Sequence, residues 1–301
     1  MPRILVVLGT GGTIAGSAPS PADHLAYRSA TLAVTRLLQD VPVPDGYALE
    51  SEQVAQMDSK DMDFATWRRL SERVAHHAGR EDVCAIVVTH GTDTLEETAY
   101  FLHRALAPAK PVVLTGAMRP ATSSEADGPR NLADALAVAT QAAEAAEAGV
   151  AVVFAGSVHS PVDVRKEHTV RPDAFGSGDA GPVGRLEAGR LHALRPWPCD
   201  PAIGLAALPE AGSEWPWVAI VTSGAGVDAR QVDALVGAGC AGIVVAGTGN
   251  GMVHRDLEAA LRKAEASVVA VLRSSRCPAG GIVEPSGRIE APAGSIGEPA
   301  R

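Results

Sequence analysis

The chain has 301 residues and a formal net charge of −9, with 46% hydrophobic and 20% charged residues. This composition is typical of a globular protein long enough for two domains, and it excludes disordered and fibrous classes. Phosphate binding needs clustered lysine and arginine. Because the chain is acidic and shows no such cluster, we expect no nucleic-acid partner and no anionic membrane surface as a partner.

The sequence also gives expectations about location and cofactors. No stretch reaches the roughly 18 apolar residues that a membrane span needs, and the apolar run over residues 4–8 is too short for the core of a signal peptide. We therefore expect a cytoplasmic protein. The four cysteines form no CxxC pair and the histidines have no zinc spacing, so no metal site is expected.

Short runs of β-branched residues alternate with amphipathic stretches along the chain. The predicted strands are apolar on both faces, as in covered parallel sheets; they span residues 4–8, 85–88, 112–114, 150–154, 218–221, 243–245 and 268–272. The predicted helices span residues 61–77, 94–106, 131–146, 228–236 and 256–266. In the first helix we expect an apolar stripe with Ser59 or Asp61 as the N-cap; the stripe contains Phe64, Trp67, Leu70 and Val74.

This alternation stops between about residues 156 and 213, in a segment rich in glycine and proline. We expect an irregular or hairpin structure at its start and a linker at its end. The whole pattern predicts an α/β protein with two doubly wound parallel-sheet domains. The larger N-terminal domain would span residues 1–190, the linker 191–212 and the smaller C-terminal domain 213–301.

The first candidate motif, Thr-Gly-Gly-Thr-Ile-Ala-Gly over residues 10–16, follows the first predicted strand. Glycine allows the backbone to turn sharply and to approach a ligand closely. The motif has no lysine for a phosphate loop, and Ile14 stands where a dinucleotide fingerprint needs glycine. By itself it is best interpreted as a turn that ends a strand.

The second motif, over residues 88–97, also follows a parallel strand and opens a helix. Ligands collect at this place in open parallel sheets, beside the free N–H groups of a helix N-terminus. Thr92 and Asp93 would lie there. A plain helix cap is an equal alternative, with Thr92 or Thr94 as the N-cap and with Glu96 and Glu97 favouring the helix dipole.

Two further segments are ambiguous on their own. Residues 110–120 and 123–132 predict a strand, a polar loop and a helix, and are interpreted mainly as an ordered structural loop. The run over residues 163–166 is a solvated charge run unless the fold buries Lys166, because a buried lysine loses its proton more easily and can act as a base. Threonine becomes a useful nucleophile only when a base takes its proton.

Together the two motifs resemble the signature motifs of the bacterial L-asparaginase/glutaminase family. The resemblance extends in order from about residue 4 to about residue 281, with further matching runs at residues 114–120, 126–129, 131–132, 246–251 and 273–276. It implies an L-asparagine amidohydrolase that forms a threonine acyl-enzyme and releases L-aspartate and ammonia. It also implies a small-molecule substrate, no cofactor and a homotetramer built as a dimer of dimers.

The resemblance assigns roles to five catalytic residues. Thr13 corresponds to the nucleophilic threonine and Tyr27 to the catalytic tyrosine. The second threonine, Thr92, is implied to manage proton traffic together with Asp93 and the lysine base Lys166. Which threonine attacks first is left open.

The resemblance also implies a set of substrate-binding residues. Ser59 would hold the α-carboxylate of the substrate, Thr92 would also contact the substrate, and Asp93 would bind its α-ammonium group. Asn250 and Glu284 would reach the site of a neighbouring subunit from the small domain.

Two departures from the family pattern affect these expectations. Lys60 stands where many relatives carry Gln or Glu as an ammonium ligand, and it would repel that group unless it points away. The chain ends at Arg301, where most relatives continue through a further helix, so we expect an uncovered apolar face on the small domain. Two alternatives are therefore a glutaminase-asparaginase of broader specificity and a catalytically weak amino-acid-binding module on the same fold.

Overall fold

The computed structural model describes residues 3–198 and 200–283, and the backbone of residues 289–290 and 294–295. The chain divides into two compact units, Met1–Ser213 and Glu214–Arg301. Within the described ranges, none of the helices combines the length and the hydrophobicity needed to cross a bilayer.

The first unit is built on an eight-stranded sheet. Its parallel part has the spatial order β2, β1, β3, β4, β5 and consists of β1 (Arg3–Gly11), β2 (Tyr47–Met57), β3 (Val83–Thr89), β4 (Pro111–Thr115) and β5 (Gly149–Phe154). The later strands of this unit are β6 (Ser157–His159), β7 (Arg165–Lys166), β8 (Phe175–Gly176), β9 (Gly184–Glu187) and β10 (Arg190–Ala193). Antiparallel pairing adds β6, β9 and β10 beyond β5, whereas β7 and β8 form a separate two-stranded ribbon.

Helices cover both faces of this sheet. They are α1 (Val34–Leu37), α2 (Phe64–Ala78), α3 (Leu95–Leu106) and α4 (Gly128–Glu144). Leu136 of α4 lies in one core cluster with Val87, while Leu102 of α3 lies in the other with Val88. Because successive residues of β3 point to opposite faces, its apolar run is buried on both sides, as the sequence predicts.

The edge strand β2 was not predicted from the sequence. An edge strand meets solvent, so it does not need to be apolar on both faces. Its two glutamates form ion pairs instead: Arg73 lies 2.7 Å from Glu52, and Arg80 lies 2.6 Å from Glu50. Glu50 and Glu52 made this segment unlike the apolar runs that were predicted as strands, and their ion pairs help to hold β2 against α2 and the chain that follows it.

The start of α2 differs from its predicted start. The N-cap is Asp63, whose carboxylate accepts a hydrogen bond of 2.7 Å from the backbone N–H of Thr66. The two residues expected to cap the helix lie in a preceding 3-10 turn, Ser59–Asp61. The predicted apolar stripe is also partly wrong, because Phe64 is 46% exposed while Leu70 is fully buried.

The segment predicted as a linker, residues 191–212, packs as part of the first unit. Its first residues complete β10, and both Trp197 and Leu208 are buried. The backbone N–H of Ile203 also donates to the carbonyl of Arg104 at 2.8 Å. Trp197 and Leu208 therefore pack this segment onto the first unit, while Pro196, Pro201 and Gly212 are exposed. The hairpin expected near residue 156 is formed by β5 and β6.

The second unit has a smaller sheet in which three strands are parallel. Its elements are β11 (Val218–Thr222), α5 (Arg230–Gly237), β12 (Gly242–Gly247), α6 (Arg255–Ala266), β13 (Ala270–Ser275), β14 (Ile282–Val283), β15 (Ile289–Glu290) and β16 (Gly294–Ser295). Both helices pack with Ile243 and Val245 in one core cluster. The opposite face carries Val218 and Ile220, which are 55% and 72% exposed.

Candidate active site

The two glycine-containing loops lie side by side in the first unit. Strands β1 and β3 are parallel neighbours with Gly9 opposite Thr89, so their carboxyl ends meet at one edge of the sheet. A Cβ on Gly12, whose φ is +80°, would lie 2.2 Å from the Cα of Gly91. Only glycine permits this backbone approach, which brings the first motif against the second.

Thr13 begins the 3-10 turn that follows β1, and it is only 7% exposed. Its Oγ1 lies 2.7 Å from the phenol oxygen of Tyr27. An antiparallel bridge between Ser17 and Arg28 closes the loop that returns this tyrosine to the threonine. The hydroxyl and the phenol share a hydrogen bond in which either oxygen can donate, so a proton can pass between them.

The second threonine forms a group with a lysine from a distant segment. The Nζ of Lys166 donates to the Oγ1 of Thr92 at 2.9 Å and to the Oδ1 of Asp93 at 2.6 Å. The lysine side chain is 20% exposed and the aspartate side chain 51%. The fold therefore buries most of Lys166, which excludes the simple solvated charge run.

Ser59 lies against the loop of the second motif and is 2% exposed. Its Oγ accepts the backbone N–H of Asp93 at 3.2 Å, and its carbonyl accepts the hydroxyl of Thr94 at 2.8 Å. Thr94 occupies the N-cap position of α3 but makes no side-chain cap bond. The hydroxyls of Thr92 and Thr94 are thus used in contacts between segments, and neither caps the helix.

Lys60, the residue after Ser59, is held by two carboxylates. Its Nζ lies 2.9 Å from Asp58 and 3.1 Å from Asp61, and the hydrogen bond to Asp58 holds the pKa of Lys60 above its ordinary value. Asp58 also accepts the hydroxyl of Ser29 at 2.8 Å. The charge of Lys60 is therefore compensated locally.

A buried histidine network supports the second motif, and sequence reasoning did not find it. His90 is fully buried; its Nε2 lies 3.0 Å from the Oγ1 of Thr98, and its Nδ1 lies 2.7 Å from the carbonyl of Gly91. The indole N–H of Trp67 donates to the same Oγ1 at 2.8 Å. A carbonyl can only accept, so Nδ1 carries the proton and donates to Gly91, and in the neutral ring Nε2 accepts from the Thr98 hydroxyl.

Burial lowers the pKa of His90 to about 4. The ring is therefore neutral at pH 7, which agrees with the single-donor arrangement required by its neighbours. The result is a fixed hydrogen bond to the Gly91 carbonyl, one residue before the second threonine. The only sequence signal for this role was the position of His90 directly after a buried strand.

The third segment is an ordered loop, in agreement with its sequence interpretation. The Asp127 carboxylate accepts the backbone N–H groups of Met118 and Arg119, each at 2.9 Å. The side-chain amide of Asn131 donates to the carbonyl of Gly116 at 3.0 Å. These residues fix the backbone of the loop.

The remaining predicted site residues belong to the second unit. The amide of Asn250 donates to the carbonyl of Val283 at 2.8 Å and accepts its N–H at 2.7 Å. Glu284 lies outside the described residues. Among residues 3–198 and 200–283, no group of three or more His, Cys, Asp or Glu side chains is arranged to hold a metal ion.

Comparison with family models decides the assignment. The model of the asparaginase N-terminal domain matches residues 4–198, and that of the glutaminase/asparaginase C-terminal domain matches residues 217–297. The chain belongs to the asparaginase family. The predicted enzyme class, a hydrolase acting on amide bonds, is thereby confirmed.

Curated asparaginases and a solved structure agree with this assignment. The chain is 38% identical over 281 residues to L-asparaginase 2 of Escherichia coli, covering 92% of this chain and 78% of that protein. It is 38% identical over 285 residues to the glutaminase-asparaginase of Pseudomonas fluorescens, covering 93% and 77%. The structure of a probable cytoplasmic L-asparaginase from Campylobacter jejuni matches with a TM-score of 0.87 and 35% identity, covering 94% of this chain and 87% of that one. The predicted α/β fold with two parallel sheets is therefore also confirmed.

Proposed function

We propose that this asparaginase-family protein hydrolyses L-asparagine to L-aspartate and ammonia. The observation that carries the proposal is the presence of two hydroxyl groups, each with a proton-handling partner, in loops that touch. Thr13 is hydrogen-bonded to Tyr27 at 2.7 Å, and Thr92 is hydrogen-bonded to Lys166 at 2.9 Å. Amide hydrolysis through an ester needs an activated hydroxyl and a route for protons, which this arrangement can supply.

In the proposed reaction, the Oγ1 of Thr13 attacks the side-chain amide carbon; its proton passes to the phenol oxygen of Tyr27, and the phenol releases its own proton toward the departing nitrogen. Backbone N–H groups stabilise the oxyanion of the tetrahedral intermediate. The C–N bond then breaks, and the nitrogen takes up a proton and leaves as ammonia. Water attacks the resulting β-aspartyl ester, Thr13 regains its proton, and L-aspartate is released.

The second group would manage protons and hold the substrate. The neutral amine form of Lys166 would accept a proton from the Thr92 hydroxyl, to which it is hydrogen-bonded, and later return it. Asp93 would pair with the α-ammonium of the substrate, because its carboxylate is half-exposed and keeps lone pairs beyond the lysine contact. Ser59 would donate its hydroxyl to the α-carboxylate.

A glutaminase-asparaginase activity is the second candidate, and the similarity to relatives with that name favours it. A weak amino-acid-binding module is the third, prompted by Lys60. Local compensation of the charge of Lys60 by Asp58 and Asp61 supports an enzyme over this third candidate.

Release of ammonia from L-asparagine and L-glutamine, measured side by side, tests these candidates. We expect hydrolysis of both to be lost in Thr13→Ala and the wild-type kcat/KM to be higher for asparagine. Equal values would favour the broader enzyme. No ammonia from either amino acid would contradict the proposed function.

We further propose a cytoplasmic location and a dimer of dimers. Similar proteins include one named as periplasmic and one named as cytoplasmic, so location needs a direct measurement by fractionation. In the proposed assembly, Asn250 and Glu284 complete the site of a neighbouring subunit. The two hydrogen bonds between Asn250 and Val283 support a role in holding the chain next to Glu284.

A further inference from the structure

Lys166 is presented by a very small structural element. The ribbon β7–β8 has two residues in each strand, and Lys166 is paired with Phe175. Two-stranded ribbons of this size have little stability of their own. Something outside the ribbon must therefore hold the lysine backbone where its Nζ can reach Thr92.

That support comes from the first turn of α3. The backbone N–H of Lys166 donates to the carboxylate of Glu96, across 70 residues of sequence. The side chain of the same lysine donates to Thr92 and Asp93, in the loop that leads into α3. Lys166 is thus bound at its backbone and at its Nζ to one short segment of chain.

The neighbouring glutamate provides a contrast. Glu96 and Glu97 both lie in the first turn of α3, so both favour the helix dipole equally well. Glu97 is exposed, and Glu96 is partly buried and accepts the lysine N–H. The helix dipole alone therefore does not account for the contact between the Glu96 carboxylate and the backbone N–H of Lys166.

We infer that Glu96 is a positioning residue that holds the backbone of Lys166 so that its Nζ stays bonded to Thr92. A hydrogen bond to an ionised acceptor is about twice as strong as one between neutral groups. A displacement of about 1 Å in a catalytic group can cost about a hundredfold in rate. The inference rests on the proposed amidohydrolase function, in which Lys166 handles a proton.

The test compares Glu96→Leu and Glu96→Gln with the matched controls Glu97→Leu and Glu97→Gln. Leucine fills similar space but removes the acceptor, whereas glutamine keeps one acceptor oxygen. With L-asparagine, we expect Glu96→Leu to lower kcat about tenfold or more while KM changes less than about threefold. Glu96→Gln should retain a large part of kcat, and both Glu97 variants should match the wild type.

A second measurement does not depend on activity. Hydrogen exchange of the peptide that contains Lys166 should become faster in Glu96→Leu, because its N–H loses its acceptor, and should be unchanged in Glu97→Leu. If Glu96→Leu does not fold, Glu96→Asp replaces it; the shorter side chain withdraws the carboxylate, so kcat should again fall.

The possible outcomes separate this inference from the proposed function. Wild-type kcat and wild-type exchange in Glu96→Leu, or equal losses in Glu96→Leu and Glu96→Gln, would overturn the positioning role and leave the function standing. A full kcat in Glu96→Asp would overturn it as well. Faster exchange in Glu96→Leu, in a protein whose wild type releases no ammonia, would support the contact and contradict the function.

Discussion

The Nζ of Lys166 lies 2.9 Å from the Oγ1 of Thr92, although 74 residues separate them in the sequence. The threonine follows the buried strand β3, and the lysine comes from the ribbon β7–β8. Asp93 accepts from the same Nζ at 2.6 Å. The lysine therefore donates both to a threonine hydroxyl and to a carboxylate that fixes its direction.

Replacing this lysine is the most direct test of its role. Lys166→Met keeps the unbranched side chain and removes the Nζ, so we expect kcat to fall by roughly 10²–10⁴, the range for losing a positioned acid or base. Circular dichroism should show an unchanged fold. Lys263→Met is the control, since Lys263 is 78% exposed on α6 of the second unit. A folded Lys166→Met variant with normal turnover would remove the lysine from the mechanism.

The first threonine should be indispensable if it forms the ester. We expect Thr13→Ala to lower kcat by about 10³ or more, because the covalent step needs this hydroxyl. Tyr27→Phe should cause a smaller loss of kcat, since it removes only the hydroxyl that receives the proton. Thr35→Ala, which removes a hydroxyl at an exposed position of α1, should leave kcat unchanged. If Thr13→Ala stays active and Thr92→Ala does not, the two threonines have exchanged roles.

Two buried histidines should make the fold sensitive to acid. Burial lowers the pKa of His90 and of His159 to about 4 from an ordinary value of 6.5. Between these values the unfolded chain binds more protons than the folded one, so stability is complete above pH 6.5 and decreases as the pH falls toward 4. Each group should contribute roughly 1.4 kcal/mol per pH unit within that window.

Urea denaturation at pH 7.5 and pH 5 measures this effect. His90→Gln should reduce the difference in unfolding free energy between the two pH values, because its side chain does not titrate. His192→Gln is the control, since that histidine is half-exposed on β10. An unchanged pH dependence in His90→Gln would mean that the buried ring is not the source.

The proposed shared site predicts complementation between subunits. A Thr13→Ala variant and an Asn250→Ala variant should each have low activity. After subunit exchange, some dimers would contain one site with both native residues, and the mixture should be more active than either variant alone. A protein that is monomeric by light scattering and still hydrolyses asparagine would contradict the shared site.

Local sequence was sufficient for the central elements of the fold. The apolar runs at residues 85–88 and 150–154 are buried strands, because a strand covered on both faces must be apolar throughout.

The edge strand β2 and the N-cap Asp63 were missed. Glu50 and Glu52 of β2 are stabilised by arginines that only the fold brings near, and Ser59 and Asp61 were equally plausible caps by sequence.

The sequence by itself determined the chemical groups of the candidate site, since the motifs around Thr13 and Thr92 each follow a predicted parallel strand. Tertiary structure alone decided how these groups are combined. Sheet order places the two loops in contact, and the fold of a distant ribbon brings Lys166 to Thr92 and to Glu96. The physical reason is that strand and helix periodicity arise from neighbours in sequence, whereas these hydrogen bonds depend on packing between segments about 70 residues apart.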